Sequence, residues 1–420
     1  LLKKFKMISY KQSRKILKNS KIIIKDEIVK SSNCINRVTA ENIFSKINNP
    51  SENNAAFDGF AINSKDTKNL KKKGKLFKII GTVSAGDKPT KKRNKKFQTI
   101  EIMTGGILPK GFDTIVPIEQ IIFYPKKNPK FIFVNKKIKK HQHVRIKGSD
   151  FKRNDLLVKK GKILQPNHIL AFKTLGISKV KVKKIPRILF FSTGNEITDK
   201  EKTPNWKVRN SNSHYIESLK ENFLFNYSNG GILRDKDKLI FEKKIKQMLN
   251  SNIDIIVTSG AVSAGKFDYV PSVVKKFKLS CYFKGVAIRP GKPVLFAKIK
   301  GKQKAIFGLP GNPISSAACF RFFVFPYIEN LLGISEEKPI RAVLKKNFSK
   351  KINFTRFVKS KINTTKNGNV EVEILKGQES FRIQSFIKSN IWVLLPSGKS
   401  KFKKGDAVDC FFPNNTNTIF

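Results

Sequence analysis

The sequence predicts a multidomain α/β plus β protein: a central α/β domain on a parallel sheet, flanked by β-rich domains, with a C-terminal β-barrel. At 420 residues the chain is too long for one ordinary core. From Ile185 onward, three continuous apolar runs (RILFFSTGNE, IDIIVTSGAVSAG and KAIFGLPGNP) each end in a glycine loop. Helical stretches at 210–225 and 237–250 separate them, and another follows at 314–332. Strands buried on both faces and alternating with helices make a parallel sheet. After Gly333 the pattern changes to short strands, RAVLKKNF, NFTRFVKSKI, NVEVEIL, IWVLLP and DAVDCFF, as a small barrel or sandwich requires.

Upstream, residues 1–50 read as helical and polar, with apolar positions at Ile16, Leu17, Ile22, Ile23, Ile24, Ile28 and Val29. Leu1 is an unusual first residue, and Met7 is a candidate start. The runs FKIIGTVSAG, FQTIEIM, DTIVPIEQIIF and KFIFV, broken by Gly, Pro and Lys clusters, predict a small β domain within 75–146. An apolar helix is expected from about Pro166 to Leu175.

Composition narrows the setting. No apolar run is long enough for a transmembrane helix or a signal peptide. Cys34, Cys281, Cys319 and Cys410 lie far apart without CxxC spacing, which points to a reducing compartment, read as the cytoplasm. The net charge is +56, from 86 basic and 30 acidic residues. Such a surface attracts polyanions, so nucleic-acid binding must be weighed. The excess is mostly Lys spread through every region with abundant Asn, Ile and Phe, which reads as compositional drift with a solvated lysine coat. No specific nucleic-acid reader is expected.

In an open α/β sheet, ligands bind beyond the carboxyl ends of the strands, where all three glycine loops fall. In GLPGNPISSA, Pro310 and Pro313 stiffen the backbone while Gly308 and Gly311 permit close approach, and Ser315 or Ser316 could cap the next helix. TSGAVSAGKFDY offers the hydroxyls of Ser259 and Ser263 and the amides of Gly260 and Gly265, followed by Asp268. IRPGKP places Arg289 and Lys292 around a rigid turn, an anion clamp. Asp58, Asp150, Glu196, Asp235 and Asp268 sit beside turn or glycine residues. Converging, they would hold a divalent cation or act as acid or base; singly, they are helix caps or loop acids. His141 and His143 lie in a Lys-rich loop without partner ligands and read as solvated.

Taken in order, these motifs resemble the molybdopterin molybdenumtransferase family, relatives of the gephyrin C-terminal domain. NNAAFDGFAI is similar to the family's N-S-A-M-D-G-Y-A, and IEIMTGGILPKGFDTIVPIEQ to its I-M-T-G-A-P-x-P-x-G-x-D-x-V-V. VRIKGSDFKRNDLLVKKGKIL, RILFFSTGNEI, DIIVTSGAVSAGKFDYV, AIRPGKPVLFAK and FGLPGNPISSA follow in family order.

The resemblance implies four domains. Domain I is helical/linker in character over 1–50 and 147–183, and domain II is β-rich over 51–146. Domain III is the molybdopterin-binding-like α/β domain over 184–333, and domain IV the barrel over 334–420. It implies an elongated homodimer with the active site between the central domain of one subunit and the second domain of the other. The implied reaction consumes molybdate and adenylyl-molybdopterin, releases AMP and needs Mg2+; a molybdopterin adenylyltransferase is a possible partner.

Carried over by position, Asp58, Thr104, Asp150, Glu196, Asp235 and Asp268 are the catalytic set, with Glu196, Asp235 and Asp268 as metal ligands. Ser259, Gly260, Ser263, Gly265, Arg289, Lys292, Gly308, Pro310, Gly311, Asn312, Pro313, Arg356 and Ser380 are the substrate-binding set. The chain departs from the family at Glu52-Asn53, Ser149, Asn195, Arg209-Asn210-Ser211-Asn212 and Gly285, the last with Lys284 adjacent. Three rivals remain: an adenylyltransferase on the same central domain, a scaffold that lost its chemistry, and a basic nucleic-acid binder.

Overall fold

A computed structural model describes residues 7–413, except residues 69, 71–73, 89–91, 94, 221–223 and 263–267. The expected helical start is one helix, α1 (Tyr10–Asn19), begun by a capping box in which Ser9 accepts from the Gln12 amide. Past it, Asp26–Lys30 is a strand paired antiparallel with Lys179–Lys183, which corrects the helical reading there. Val29 packs inward while Ile28 is exposed, the alternation of a strand with one buried face. Helix α2 (Pro166–Thr174) starts on a proline, and His168 Nδ1 accepts from the Gln165 amide. These elements enclose Cys34, Leu164, Phe172 and Val182.

The α1 helix itself packs away from them. Leu17, Ile22 and Ile24 join the core of the central region, and the Tyr10 ring meets Phe323 and Phe357 edge-on at 5.5 and 5.3 Å. A separate six-stranded sheet runs in the order Thr114–Pro117, Gly59–Ile62, Gln98–Ile102, Lys75–Val83, Phe131–Val134, Ile122–Tyr124. Apolar clusters form on both its faces, one around Ala61, Ile100 and Ile115, the other around Phe60, Phe77 and Val116.

The central sheet runs Asn226–Leu233, Arg187–Thr193, Ile255–Ser259, Ala305–Leu309, Leu295–Ile299, Leu279–Lys284. The first four strands are parallel; Leu295–Ile299 runs against them and Leu279–Lys284 runs against it in turn, so the expected parallel sheet is mixed at one edge. Side chains alternate across it: Ile188 and Phe190 enter one core, and Phe191 the other. This is why the strands read as unbroken apolar runs. Helix α3 (Ser211–Ser218) is shorter than the predicted 210–225, because Leu219 closes it. Helices α4 (Lys238–Leu249) and α5 (Val270–Val274) cover the second face through Phe241, Ile245, Val270 and Val273. Helix α6 (Pro313–Cys319) continues through a π turn into α7 (Phe325–Leu332), which stops at Gly333 in the left-handed region.

The last region is the expected barrel. Thr355–Thr364, Val370–Ile374, Ile340–Leu344, Ala407–Phe411 and Ile391–Leu395 pair in that order, and the last returns to the first. A short helix, α8 (Ile383–Ile387), crosses between its strands. No helix among the described residues is long and apolar enough to cross a membrane, and all four cysteines are free.

One buried ion pair joins the central helices to the chain end. The Arg321 guanidinium, 3% exposed, donates to both oxygens of Glu337 at 2.8 and 2.6 Å and to the Phe412 carbonyl at 2.7 Å. Removing one partner of such a pair strands a buried charge. Glu337→Ala is therefore expected to cost about 3–5 kcal/mol in chemical denaturation; a loss under ~1 kcal/mol would contradict this role.

Candidate functional site

Four parallel strands deliver their carboxyl ends to one line, and a cleft of about 590 Å³ opens there. Three connecting segments wall it: 192–197 after the first strand of the domain, 259–262 after Ile255–Ser259, and 310–315 after Ala305–Leu309. Gly260 permits the close approach of two of them. Its φ is +103°, and a Cβ there would lie 2.5 Å from both the carbonyl oxygen and the hydroxyl of Thr193. The start of α3 and the start of α6 both border the cleft, so the positive ends of two helix dipoles face it.

A side-chain amide ties the walls together. Asn212 Nδ2 donates to Ser259 Oγ at 2.6 Å and to the Gly311 carbonyl at 2.7 Å. Ser259 Oγ in turn reaches the Pro310 carbonyl at 3.3 Å. Asn210 is buried and accepts from Ser192 Oγ, so it braces the first strand instead of capping α3. The 194–197 turn is held by Arg234, which donates to the carbonyls of Gly194, Asn195 and Ile197 at 3.0, 3.2 and 2.6 Å. Asn195 and Asp235 pair reciprocally: Nδ2 donates to Asp235 Oδ2 at 2.8 Å, and the Asp235 amide donates to Asn195 Oδ1 at 3.1 Å.

Of the residues singled out from sequence, Glu196, Asp235, Asp268, Ser259, Gly260, Pro310, Gly311, Asn312 and Pro313 line this cleft. Glu196, Asp235 and Asp268 do not close into a cage. Among the described residues no group of three or more His, Cys, Asp or Glu could hold a metal. Asp235 already accepts from the Asn195 amide. Asp268 acts on Lys284: burial pushes that ammonium below its ordinary pKa, and the carboxylate opposes the shift.

Gly308 is within its strand, and a Cβ would press to 2.5 Å from Val262 Cγ1. Its missing side chain therefore serves packing, not ligand approach. Ser263 and Gly265 lie outside the described residues.

Arg289, Lys292, Arg356 and Ser380 do not line the cleft. Ile288–Arg289 pairs in parallel with Thr355–Arg356 of the barrel, so two arginines stand in register. Burial, and then the like charge of Arg289, push the Arg356 guanidinium below its usual pKa. The Ser380 carbonyl accepts from the Ile314 amide at 3.2 Å, in the first turn of α6.

Asp58 and Thr104 form a second locus: Asp58 Oδ1 accepts from the Thr104 amide at 2.6 Å and hydroxyl at 2.7 Å. Asp150 accepts from Asn49 Nδ2 at 2.7 Å. None of these three lines the cleft. The sequence reading missed Arg209, a cation on the cleft wall, and the organising roles of Asn210 and Asn212. The signal was the Asn-Ser-Asn start of α3, the residue types that open helices.

Chemically, the cleft joins amide donors, a guanidinium and three carboxylates over a volume that fits a nucleotide-sized anion. Family models match three stretches of the chain. "MoeA N-terminal region (domain I and II)" matches residues 8–176, "Probable molybdopterin binding domain" residues 190–330, and "MoeA C-terminal region (domain IV)" residues 341–411.

A molybdopterin molybdenumtransferase of Staphylococcus aureus is 32% identical over 381 residues, 89% of this chain and 88% of that protein. One of Staphylococcus epidermidis is 30% identical over 406 residues, 96% and 94%. The crystal structure of a molybdopterin biosynthesis moeA protein of Pyrococcus horikoshii superposes with a TM-score of 0.80 at 25% identity, covering 97% of this chain and all of that one.

The Thr104 contacts hold the Asp58 carboxyl below its ordinary range, the hydroxyl contributing most and the amide next. A lowered carboxyl favours the paired state at neutral pH, and the effect fades as pH falls through the lowered value. Thr104→Val should return the Asp58 pKa towards 3.8, read by carboxyl-carbon NMR titration; an unchanged value would contradict the hydroxyl's role.

Proposed function

The chain belongs to the molybdopterin molybdenumtransferase family, and from that premise we propose how its own residues carry the reaction. It is a transferase of molybdenum cofactor biosynthesis, inserting molybdate into adenylyl-molybdopterin with release of AMP. The cleft at the strand ends is the proposed seat of the adenylylated substrate. What supports this most is the placement of two helix starts and a close-packed glycine loop around one anion-sized volume. Arg209 on the wall supplies positive charge for the pyrophosphate, and Arg289 and Lys292 of the IRPGKP turn are proposed to add to it.

Glu196, Asp235 and Asp268 are proposed as the acidic arm. Their geometry does not fit a resident metal held by protein alone. It fits Mg2+ that arrives with the substrate, which keeps waters and takes most ligands from phosphate oxygens plus one or two carboxylates. Bound there, the ion would offset charge on the departing AMP phosphate. The protein's part is then to orient the linkage and exclude loose water, with Asn195 keeping Asp235 aimed. Molybdate, an anion, requires amide or cationic donors in the same cleft. The four free cysteines fit a reducing cytoplasm.

A homodimer is also proposed. Asp58 and Thr104 are absent from the walls of this cleft, and the neighbouring Phe57 and Ile118 are solvent-exposed. That arrangement suits a second copy delivering the pair to the cleft of the first. The adenylylated substrate must come from an enzyme that adenylylates molybdopterin.

Molybdate- and magnesium-dependent AMP release is expected from the full chain, with Asp268→Ala lowering the rate at least ~100-fold. Tight binding without release by the folded wild type would instead indicate a carrier. Mixing Asp58→Asn and Asp268→Ala chains should restore about a quarter of wild-type activity, because a random mixed dimer keeps one intact composite site. No recovery despite subunit exchange would argue against a shared site.

A further inference from the structure

One lysine of the barrel is buried where a charge is expensive. Lys359, 1% exposed, lies on Thr355–Thr364 three residues beyond Arg356. Its ammonium donates to the carbonyls of Gly377, Glu379 and Arg382 at 2.7, 3.2 and 3.0 Å. Three donors meet three acceptors, all contributed by one irregular stretch of chain. The backbone repeats the link: Gln378 Nε2 donates to the Lys359 carbonyl at 2.8 Å, and the Lys359 amide donates to Gln378 Oε1 at 3.0 Å. Ser385 Oγ closes the arch, donating to the Gly377 carbonyl at 2.6 Å and also reaching that of Arg382 at 3.3 Å.

This arch touches both helices that open onto the cleft. At its centre the Ser380 carbonyl accepts from Ile314 in the first turn of α6. At its end the Phe386 ring of α8 meets the Tyr215 ring of α3 at 5.8 Å and 67°. A buried charge is rarely the most stable choice, since an apolar side chain of similar length is often neutral or better. Burial pushes this ammonium down to about 8, with Glu379 opposing and Arg382 reinforcing the shift. Its use therefore points to position rather than stability.

We infer that Lys359 is a positioning residue of the transferase site, acting through the 376–386 arch to set the starts of α3 and α6. The inference rests on the functional reading above, and its test separates the two. Lys359→Met keeps the stem and removes the three donors; Ser385→Ala loosens the same arch without touching the lysine.

In steady-state AMP release by the full chain, Lys359→Met should raise KM for adenylyl-molybdopterin about tenfold while kcat stays within about threefold. Ser385→Ala should shift KM in the same direction by at least about twofold. Hydrogen exchange should accelerate at 211–216 and 314–318 in both variants, without a matching loss elsewhere.

Folded variants with KM within about 1.5-fold of wild type and unchanged exchange would overturn the inference. Should Lys359→Met fail to fold, Ser385→Ala alone decides by the same two readouts. Should wild type release no AMP, the functional reading fails, while exchange at the two helix starts still decides the role of Lys359.

Discussion

The side-chain amide of Asn212 joins what the rest of the site depends on. Its two hydrogen bonds, to Ser259 Oγ and the Gly311 carbonyl, pull the first turn of α3 onto the ends of two central strands. With Thr193 packed against Gly260, the three loops become one wall. Parallel strands make this possible, because all their carboxyl ends arrive on one side. Helices then return from that side with their amide ends towards the same space. Anion affinity is thus a property of the backbone, and side chains adjust it.

Charge is distributed with more order than the lysine excess suggests. Inside the cleft the acids are few and restrained: Asp235 by Asn195, and Asp268 within electrostatic reach of Lys284. Arg209 stands on the wall of the cleft, and Arg289 and Arg356 pair where the central region meets the barrel. Arginine keeps its charge when partly buried and offers a planar fork to phosphate, which a solvated lysine coat does not. The net charge of +56 therefore says more about the exterior than about the site.

Where burial is two-sided, the sequence was explicit. RILFFST and IDIIVTS read as strands because Phe190 and Phe191 enter opposite cores, and the motif order identified the loops beyond them. The barrel strands were equally visible as a run of short strands after Gly333. Reading failed where tertiary contacts override local pattern. Residues 26–30 became a strand through antiparallel pairing with 179–183, Asp26 opposite Lys183 far along the chain, and no local signal shows that. The antiparallel turn of Leu295–Ile299 and Leu279–Lys284 is likewise set by neighbours. Gly308 looked like a ligand glycine because it shares a motif with Gly311; only the packing of Val262 separates their roles. Asn212 was noticed as a departure from a family pattern, yet its bridging role depends on two loops about 47 and 99 residues further along the chain.

The most direct test of this account is hydrogen exchange of the full chain with and without bound adenylyl-molybdopterin. Protection concentrated in 192–197, 209–212, 259–262 and 311–315 is the predicted result. Saturating ligand that leaves those segments unprotected, with protection elsewhere on the barrel or the N-terminal helix, would contradict the assignment of the cleft.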